Sequence, residues 1–134
     1  MTHLLDTHAW IQRALGEPLP PLVDQTLTRH AGTLAIADIS LWEAAKLVEL
    51  GRLQLSIPLA EFFRLALTPE LTVLPITLAI AERVTALEAA GFHKDPADQL
   101  IVATALVHGL RLISDDTRIR QWGGVRLLWR AARH

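Results

Sequence analysis

Short apolar runs that alternate with helical patterns are the feature of this 134-residue chain that most restricts its fold. The apolar runs lie at residues 4–5, 33–37, 72–75, 110–114 and 125–129. Between them, apolar spacing, proline and glycine predict helices over 9–15, 22–30, 40–50, 58–67, 77–90, 96–108 and 117–121. Short buried strands separated by helices are typical of an α/β domain, so we expect a central, mostly parallel sheet of four to five strands.

The length and composition exclude several classes of protein. A chain of this length fits a single domain over residues 1–134, because two domains would each have a thin core. The absence of cysteine excludes a disulfide framework, a thiolate zinc site and a cysteine nucleophile, and it favours the cytoplasm. No apolar run approaches the roughly 18 residues of a membrane helix. The amino terminus lacks the basic and apolar segments of a secretory signal.

The charge distribution is more informative than the net charge of −1, which does not itself indicate a nucleic-acid-binding protein. The segment 117–134 contains five arginines and no acidic residue. It is either a surface for phosphates or an acidic partner peptide, or a solvated last strand and terminus. The arginines are Arg118, Arg120, Arg126, Arg130 and Arg133.

Acidic residues follow the predicted strands or begin the helix over 96–108. They are Asp6, Asp38, Glu43, Asp95, Asp98, Asp115 and Asp116. Because the carboxyl ends of parallel strands meet at one edge of a sheet, these carboxylates are expected to converge there. Converging carboxylates repel one another and raise one another's pKa, and a Mg²⁺ or Mn²⁺ ion relieves that repulsion. Such an ion also suits phosphodiester hydrolysis, since it lowers the pKa of a bound water.

Each of these acids also has a purely structural interpretation as a helix cap or a turn residue. Glu43 stands three residues after Ser40, which is the spacing of a capping box with Ser40 as the N-cap. One residue of each pair, Asp95 or Asp98 and Asp115 or Asp116, is expected to cap the helix that follows it. The metal-site interpretation therefore depends on the joint placement of the acids rather than on any one of them.

Four segments together resemble the PIN domain and, more narrowly, the VapC-type ribonuclease toxins of bacterial toxin–antitoxin pairs. They are LLDTHAW (4–10), ISLWEAAK (39–46), HKDPADQLIVATA (93–105) and LISDD (112–116). The resemblance implies a three-layer α/β/α sandwich and an endoribonuclease site that uses Mg²⁺ or Mn²⁺. It also implies a VapB-like antitoxin whose carboxyl-terminal segment covers the site, and a homodimer.

The resemblance assigns roles to particular acids. Asp6 corresponds to the central metal ligand, and Glu43 to the second acid. Asp98 corresponds to the third acid, because it stands two residues before Leu100-Ile101, and Asp116 corresponds to the fourth in preference to Asp115. The predicted supporting residues are Asp95, Asp115, Thr7, Lys46 and Ser114. Gln99 departs from the family pattern, since many relatives have arginine there.

Several neighbours of the acids have alternative roles that the sequence leaves open. Thr7 and Ser114 either orient carboxylates or cap helices. Lys46, three residues after Glu43, either holds that acid, contacts a scissile phosphate or forms a surface ion pair. His8 and His93 lie near acids and are candidate general bases. Trp10 and Trp42 stack on bases, receive apolar antitoxin residues or pack between helices, whereas Trp122 and Trp129 are assigned to the core or a dimer surface.

The function that we predict is metal-dependent cleavage of tRNA or ribosomal RNA by a metal-activated water. A phosphatase on a similar fold is one alternative, but Asp6-Thr7-His8 lacks the second aspartate of an Asp-x-Asp motif. A flap-type DNA nuclease is another, but the chain leaves little room for a helical arch. A non-catalytic RNA- or ribosome-binding module is the third, and the complete set of four acids argues against it.

Overall fold

The computed structural model of the protein describes residues 1–129. The strands are β1 His3–Leu5, β2 Leu34–Ala37, β3 Thr72–Leu74, β4 Arg111–Ile113 and β5 Leu127–Leu128. The helices are α1 Thr7–Ala14, α2 Pro21–Arg29, α3 Ile39–Glu49, α4 Leu59–Ala66, α5 Leu78–Ala89, α6 Pro96–His108 and α7 Thr117–Trp122. A short 3₁₀ turn at Ala31–Thr33 leads into β2. These elements confirm the predicted alternation of strands and helices.

The five strands form one sheet in the order β3-β2-β1-β4-β5, and every neighbouring pair is parallel. The expected mostly parallel sheet of four to five strands is therefore confirmed. β1 is the central strand, with Leu4 beside Ala35 of β2 and beside Leu112 of β4. All three residues of β1 are buried, as expected for a strand covered by helices on both faces.

Side chains alternate between two apolar cores, one on each face of the sheet. Leu4 and Leu112 pack with α5, α6 and α7, whereas Leu5, Ile36 and Ile113 pack with α1, α2, α3 and α4. The alternation follows from the two-residue period of a strand. Burial against both faces confirms the α/β/α layering that the sequence predicts.

The start of α3 differs from the sequence prediction. Ser40 is not the N-cap, because Asp38 already has helical backbone angles and α3 begins at Ile39. Ser40 is instead buried in the first turn, where its hydroxyl lies 2.8 Å from that of Thr7. The predicted capping box is therefore wrong, and Glu43 has a different partner.

Glycine ends α6, as the sequence predicts. Gly109 has φ of +65°, a left-handed conformation that glycine adopts without the steric cost of a Cβ. After this turn the chain enters β4 directly, and two of the candidate acids follow the end of β4.

Within residues 1–129, each helix is too short or too polar to cross a bilayer.

Candidate active site at the carboxyl edge of the sheet

The candidate acids lie beyond the carboxyl ends of β1, β2 and β4. The helix after β1 packs on one face of the sheet, whereas the helix after β4 packs on the other. The chain therefore diverges between β1 and β4 and leaves a crevice at this edge, which is where parallel α/β sheets bind ligands. Asp6 follows β1 and Asp116 follows β4, so both acids border the crevice.

Asp6 is held at the end of the central strand by both its backbone and its side chain. Its amide donates to the carbonyl of Ile113, and its Oδ1 accepts from the Ala9 amide at 2.8 Å. The carboxyl group is thus the N-cap of α1 as well as a candidate ligand. Burial raises its pKa to about 6, although hydrogen bonds from Ser114 and Ala9 partly offset the effect.

Glu43 reaches the same edge from the second turn of α3. The Thr7 hydroxyl donates to Oε1 of Glu43, and because a hydroxyl has one proton, the Ser40 hydroxyl donates in turn to Thr7. This buried chain of hydroxyls links α1 to α3 and orients the carboxylate. Burial also raises the pKa of Glu43, while the bond from Thr7 opposes that rise.

Asp98 has the largest set of charged neighbours in the crevice. Its Oδ2 lies 2.7 Å from Nε2 of His93 and 3.1 Å from an Nη of Arg118. Burial raises its pKa, the His93 hydrogen bond opposes the rise, and the charges of Asp95 and Asp116 add to it. Asp95 itself is the N-cap of α6, because its side chain accepts from the Asp98 amide at 3.0 Å.

Asp116 and Asp115 have different roles behind β4. Asp116 is the N-cap of α7, and its other oxygen lies 3.9 Å from Arg118. Its amide donates to the Ser114 hydroxyl at 3.1 Å. Asp115 is exposed and pairs with Arg120 at 3.3 Å. The structure thus brings Asp116 to the crevice and leaves Asp115 in a surface ion pair.

The charges of the four acids affect one another's pKa values, as expected for acids placed at one edge of the sheet. The charge of Asp98 raises the pKa of both Asp6 and Glu43, and the charge of Asp116 raises that of Asp98. Several carboxylates at one edge of a sheet offer oxygen ligands, which suit a hard divalent cation. Within residues 1–129, however, no three acidic or histidine side chains already form a cage around one ion. Mg²⁺ is commonly held through one or two carboxylates and waters, which this open arrangement permits.

Two positions near the acids have structural partners. Lys46 pairs with Glu49 at 3.3 Å on the exposed side of α3. Gln99 is buried and donates both to Glu88 and to the carbonyl of His93, so it holds the turn before α6. The hydrogen bond to the His93 carbonyl gives Gln99 a role in positioning His93 that the sequence did not indicate.

The tryptophans separate into buried and exposed groups. Trp10 is 2% exposed, and its indole N–H donates to the carbonyl of Ala66, which matches the helix-packing alternative. Trp42 is 54% exposed and lies near Lys46. Trp122 packs edge-on against Phe92. Trp129 is buried in the apolar core between the sheet and helices α1 to α4.

The arginine-rich segment is partly structural. Arg118 contacts Asp98, Arg120 contacts Asp115, and Arg126 donates to the carbonyl of Gly109 at 3.0 Å. Arg130 and Arg133 lie outside the described residues. The contact of Arg118 with the acids was not predicted. The sequence did contain one indication of this contact, because Arg118 stands two residues after Asp116, close to the start of a predicted helix.

Comparison with known proteins defines the class. The sequence matches the PIN domain over residues 3–125, so the chain belongs to the PIN-domain family. Ribonuclease VapC22 from Mycobacterium tuberculosis is 40% identical to it over 120 residues, which cover 89% of this chain and 90% of that protein. The resemblance to PIN domains, and among them to VapC ribonucleases, is therefore confirmed.

Solved structures agree with the fold. A DNA-bound VapBC complex from Salmonella typhimurium contains a chain with a TM-score of 0.71 and 19% identity, covering 96% of this chain and 97% of that one. A toxin–antitoxin complex from Klebsiella pneumoniae contains one with a TM-score of 0.65 and 25% identity, covering 95% and 96%. The five-stranded parallel sheet with helices on both faces is thus that of VapC-like PIN domains.

Proposed function

We propose that this chain is the toxin of a toxin–antitoxin pair and a divalent-metal-dependent endoribonuclease that acts in the cytoplasm. The observation that carries the proposal is the placement of Asp6, Glu43, Asp98 and Asp116 at the carboxyl edge of one parallel sheet. The 40% identity to a VapC ribonuclease supports the same reaction class. The substrate is tRNA or ribosomal RNA, and the products result from hydrolysis of one phosphodiester bond.

Asp6, Glu43, Asp98 and Asp116 are the residues that would hold Mg²⁺ or Mn²⁺. When bound, the cation supplies positive charge for the phosphoryl oxygens and lowers the pKa of a water. The raised pKa values of Asp6, Glu43 and Asp98 support this role, because they mean that the carboxylates are poorly solvated and gain from a cation.

The protein's own contribution is to hold these oxygens in fixed positions. The helix-capping bonds of Asp6 and Asp116 leave one carboxylate oxygen of each available, since each cap uses only Oδ1. The Thr7 hydroxyl orients Glu43, and the His93 ring supports Asp98. Arg118 is 57% exposed at the mouth of the crevice and is suited to contact a phosphate as the RNA enters.

The partner is a VapB-like antitoxin. Structures similar to this chain are toxin–antitoxin complexes from Klebsiella pneumoniae and Salmonella typhimurium, which support such a pair here. An antitoxin segment that brings a cation to the buried acids would neutralise them and exclude RNA. We also propose a homodimer, with which the 51% apolar composition of the chain is compatible.

The proposal is tested by incubating the purified protein with mixed tRNA and ribosomal RNA in Mg²⁺, Mn²⁺ or EDTA. We expect discrete cleavage products with either metal and none with EDTA. Glu43→Gln is the matched control, because glutamine keeps an acceptor for Thr7 but loses the charge. Cleavage by that variant at the wild-type rate would indicate either a contaminating ribonuclease or a reaction that does not use the Glu43 charge, and either result would contradict the proposal. RNA binding without cleavage in any condition would support the non-catalytic alternative.

Removing Arg118 is expected to strengthen binding of the divalent cation. The Arg118 guanidinium lies near Asp98 and Asp116, which would also hold the cation. Its positive charge therefore opposes binding of the cation. Because Arg118 is exposed and screened, the gain in Mn²⁺ affinity for Arg118→Ala should be modest, about two- to fivefold. Calorimetric titration of Mn²⁺ measures it.

Arg120→Ala is the matched control for that titration, since Arg120 pairs with Asp115 outside the four acids. Its Mn²⁺ affinity should remain at the wild-type value. An equal gain for both variants would mean that general surface charge, rather than contact with the acid site, controls binding of the ion.

A further inference from the structure

A cavity of about 410 Å³ opens beside two of the four acids, Asp6 and Asp116. It lies between α1, the segment after α3 and the turn after β4. Its lining also includes His8, Ile11, Gln12 and Leu53. Its volume is within the roughly 300–1,000 Å³ of pockets that bind small molecules. Asp6 and Asp116 belong to both the cavity and the acid site. An RNA bound at the acids therefore places part of a neighbouring nucleotide at the opening of this cavity.

The part of the lining away from Asp6 and Asp116 suits a base better than a phosphate. Glu17 and Asp115, the latter paired with Arg120, add two carboxylates to the wall, which disfavours a further phosphate group there. Ile11 and Leu53 supply an apolar surface for the face of a ring. His8 and Gln12 supply a stackable ring and an amide able to bond to a base edge. His8, Ile11 and Gln12 share one face of α1, which places the ring surface and the polar groups together.

A second cavity, linked to Asp98 through His93 and Arg118, has the opposite character. It measures about 340 Å³ and includes His93, Arg118 and Trp122, and both His93 and Arg118 contact Asp98. Here the guanidinium offers a positive charge to the RNA backbone. The cavity at Asp6 and Asp116 is thus acidic and partly apolar, whereas the one at His93 and Arg118 is cationic, so the two offer an RNA strand different surroundings.

We infer that the cavity beside His8 and Gln12 binds the base of a nucleotide next to the scissile phosphate. The inference rests on the proposed endoribonuclease activity and adds to it a specificity site. Binding the flanking base there would fix the phosphate over Asp6 and Asp116, and would make cleavage depend on the base at one side of the cut.

The test uses a short RNA containing one mapped cleavage site and matched RNAs with an abasic residue on either side of the cut. Wild-type protein should lose about tenfold or more in kcat/KM with one of the two abasic RNAs, as expected for the loss of one stacked base. Gln12→Trp fills the cavity, and Gln12→Ala removes its amide. With Gln12→Trp, we expect a comparable loss on intact RNA and little further loss on the abasic RNA.

Glu82→Gln, on the exposed surface of α5 at a separate cavity, is the control and should keep the full wild-type sensitivity to the abasic residue. Gln12→Ala should reduce that sensitivity without affecting folding, because the side chain is only half-buried. Equal cleavage of intact and abasic RNAs by wild type, or full abasic sensitivity in Gln12→Trp, would overturn the inference and leave the nuclease activity established. Failure of wild type to cleave any RNA with Mg²⁺ or Mn²⁺ would overturn both.

Discussion

Replacing Asp6 with asparagine is expected to reduce metal-dependent RNA cleavage at least about a hundredfold, as for other preorganised charges at a reacting phosphate. Asparagine keeps an oxygen that accepts from the Ala9 amide, so the cap of α1 survives. It removes the charge at the centre of the crevice. Initial rates on one mapped RNA, at saturating Mn²⁺, measure the change.

The same variant should be more stable than wild type in EDTA near neutral pH. Burial raises the pKa of Asp6 from 3.8 to about 6, so the folded chain binds the proton more tightly than the unfolded chain. That contribution to stability is fully present below about pH 4 and is lost as pH rises through about 6. Asparagine avoids the loss, and the expected gain above that pH is up to roughly 3 kcal/mol.

Denaturant unfolding with EDTA at about pH 4 and about pH 8 measures this difference. Asp115→Asn is the control, because Asp115 is exposed in a surface ion pair. Its stability should follow wild type within about 0.5 kcal/mol at both values. An unchanged cleavage rate of Asp6→Asn would show that Asp6 does not belong to the site. An unchanged free energy of unfolding of Asp6→Asn at the higher pH would show that the carboxyl group of Asp6 is well solvated.

Trp10→Ala is expected to destabilise the fold by about 3–5 kcal/mol, the usual cost of truncating a large buried aromatic residue. Trp10 packs against Phe62 and Phe63 of α4, with ring centroids 5.9 and 6.4 Å away. Its indole N–H also donates to the Ala66 carbonyl, which the variant leaves unpaired. Because Trp10 fixes α1 against α4, the loss also loosens the helix that carries Asp6 at its start.

Trp42→Ala is the natural comparison in the same denaturation experiment. Trp42 is exposed on α3, so its removal should change the free energy of unfolding by no more than about 0.5 kcal/mol. Similar values for the two variants would contradict the packing that we describe for Trp10.

The sequence predicted the order and type of the elements because the strands are mainly apolar and the helices end at glycine or begin near proline. The strands at 72–74, 111–113 and 127–128 are shorter than predicted, because apolar residues such as Leu110 and Trp129 flank them without belonging to the sheet. Ser40 shows where local pattern fails. Its hydroxyl is used by Thr7, which lies 33 residues away in the chain, and a capping motif cannot reveal such a partner.

The grouping of the acids at one edge of the sheet was predictable, whereas their contacts with cationic side chains were not. Asp6, Glu43, Asp98 and Asp116 follow the carboxyl ends of strands or begin a helix, so the parallel topology brings them together. Arg118 reaches Asp98 across 20 residues of sequence, a contact that depends on how α7 packs beside α6. Leu53 likewise enters the cavity from the segment after α3, and its position in the sequence offers no sign of this.

The central position of β1 has a consequence for the time at which activity arises during synthesis. Leu4 of β1 pairs with Leu112 of β4, which is synthesised 108 residues later. The crevice therefore cannot form around Asp6 until β4 and Asp116 have been made. A nascent chain on the ribosome is consequently expected to be harmless to the RNA around it until β4 has been translated and has paired with β1.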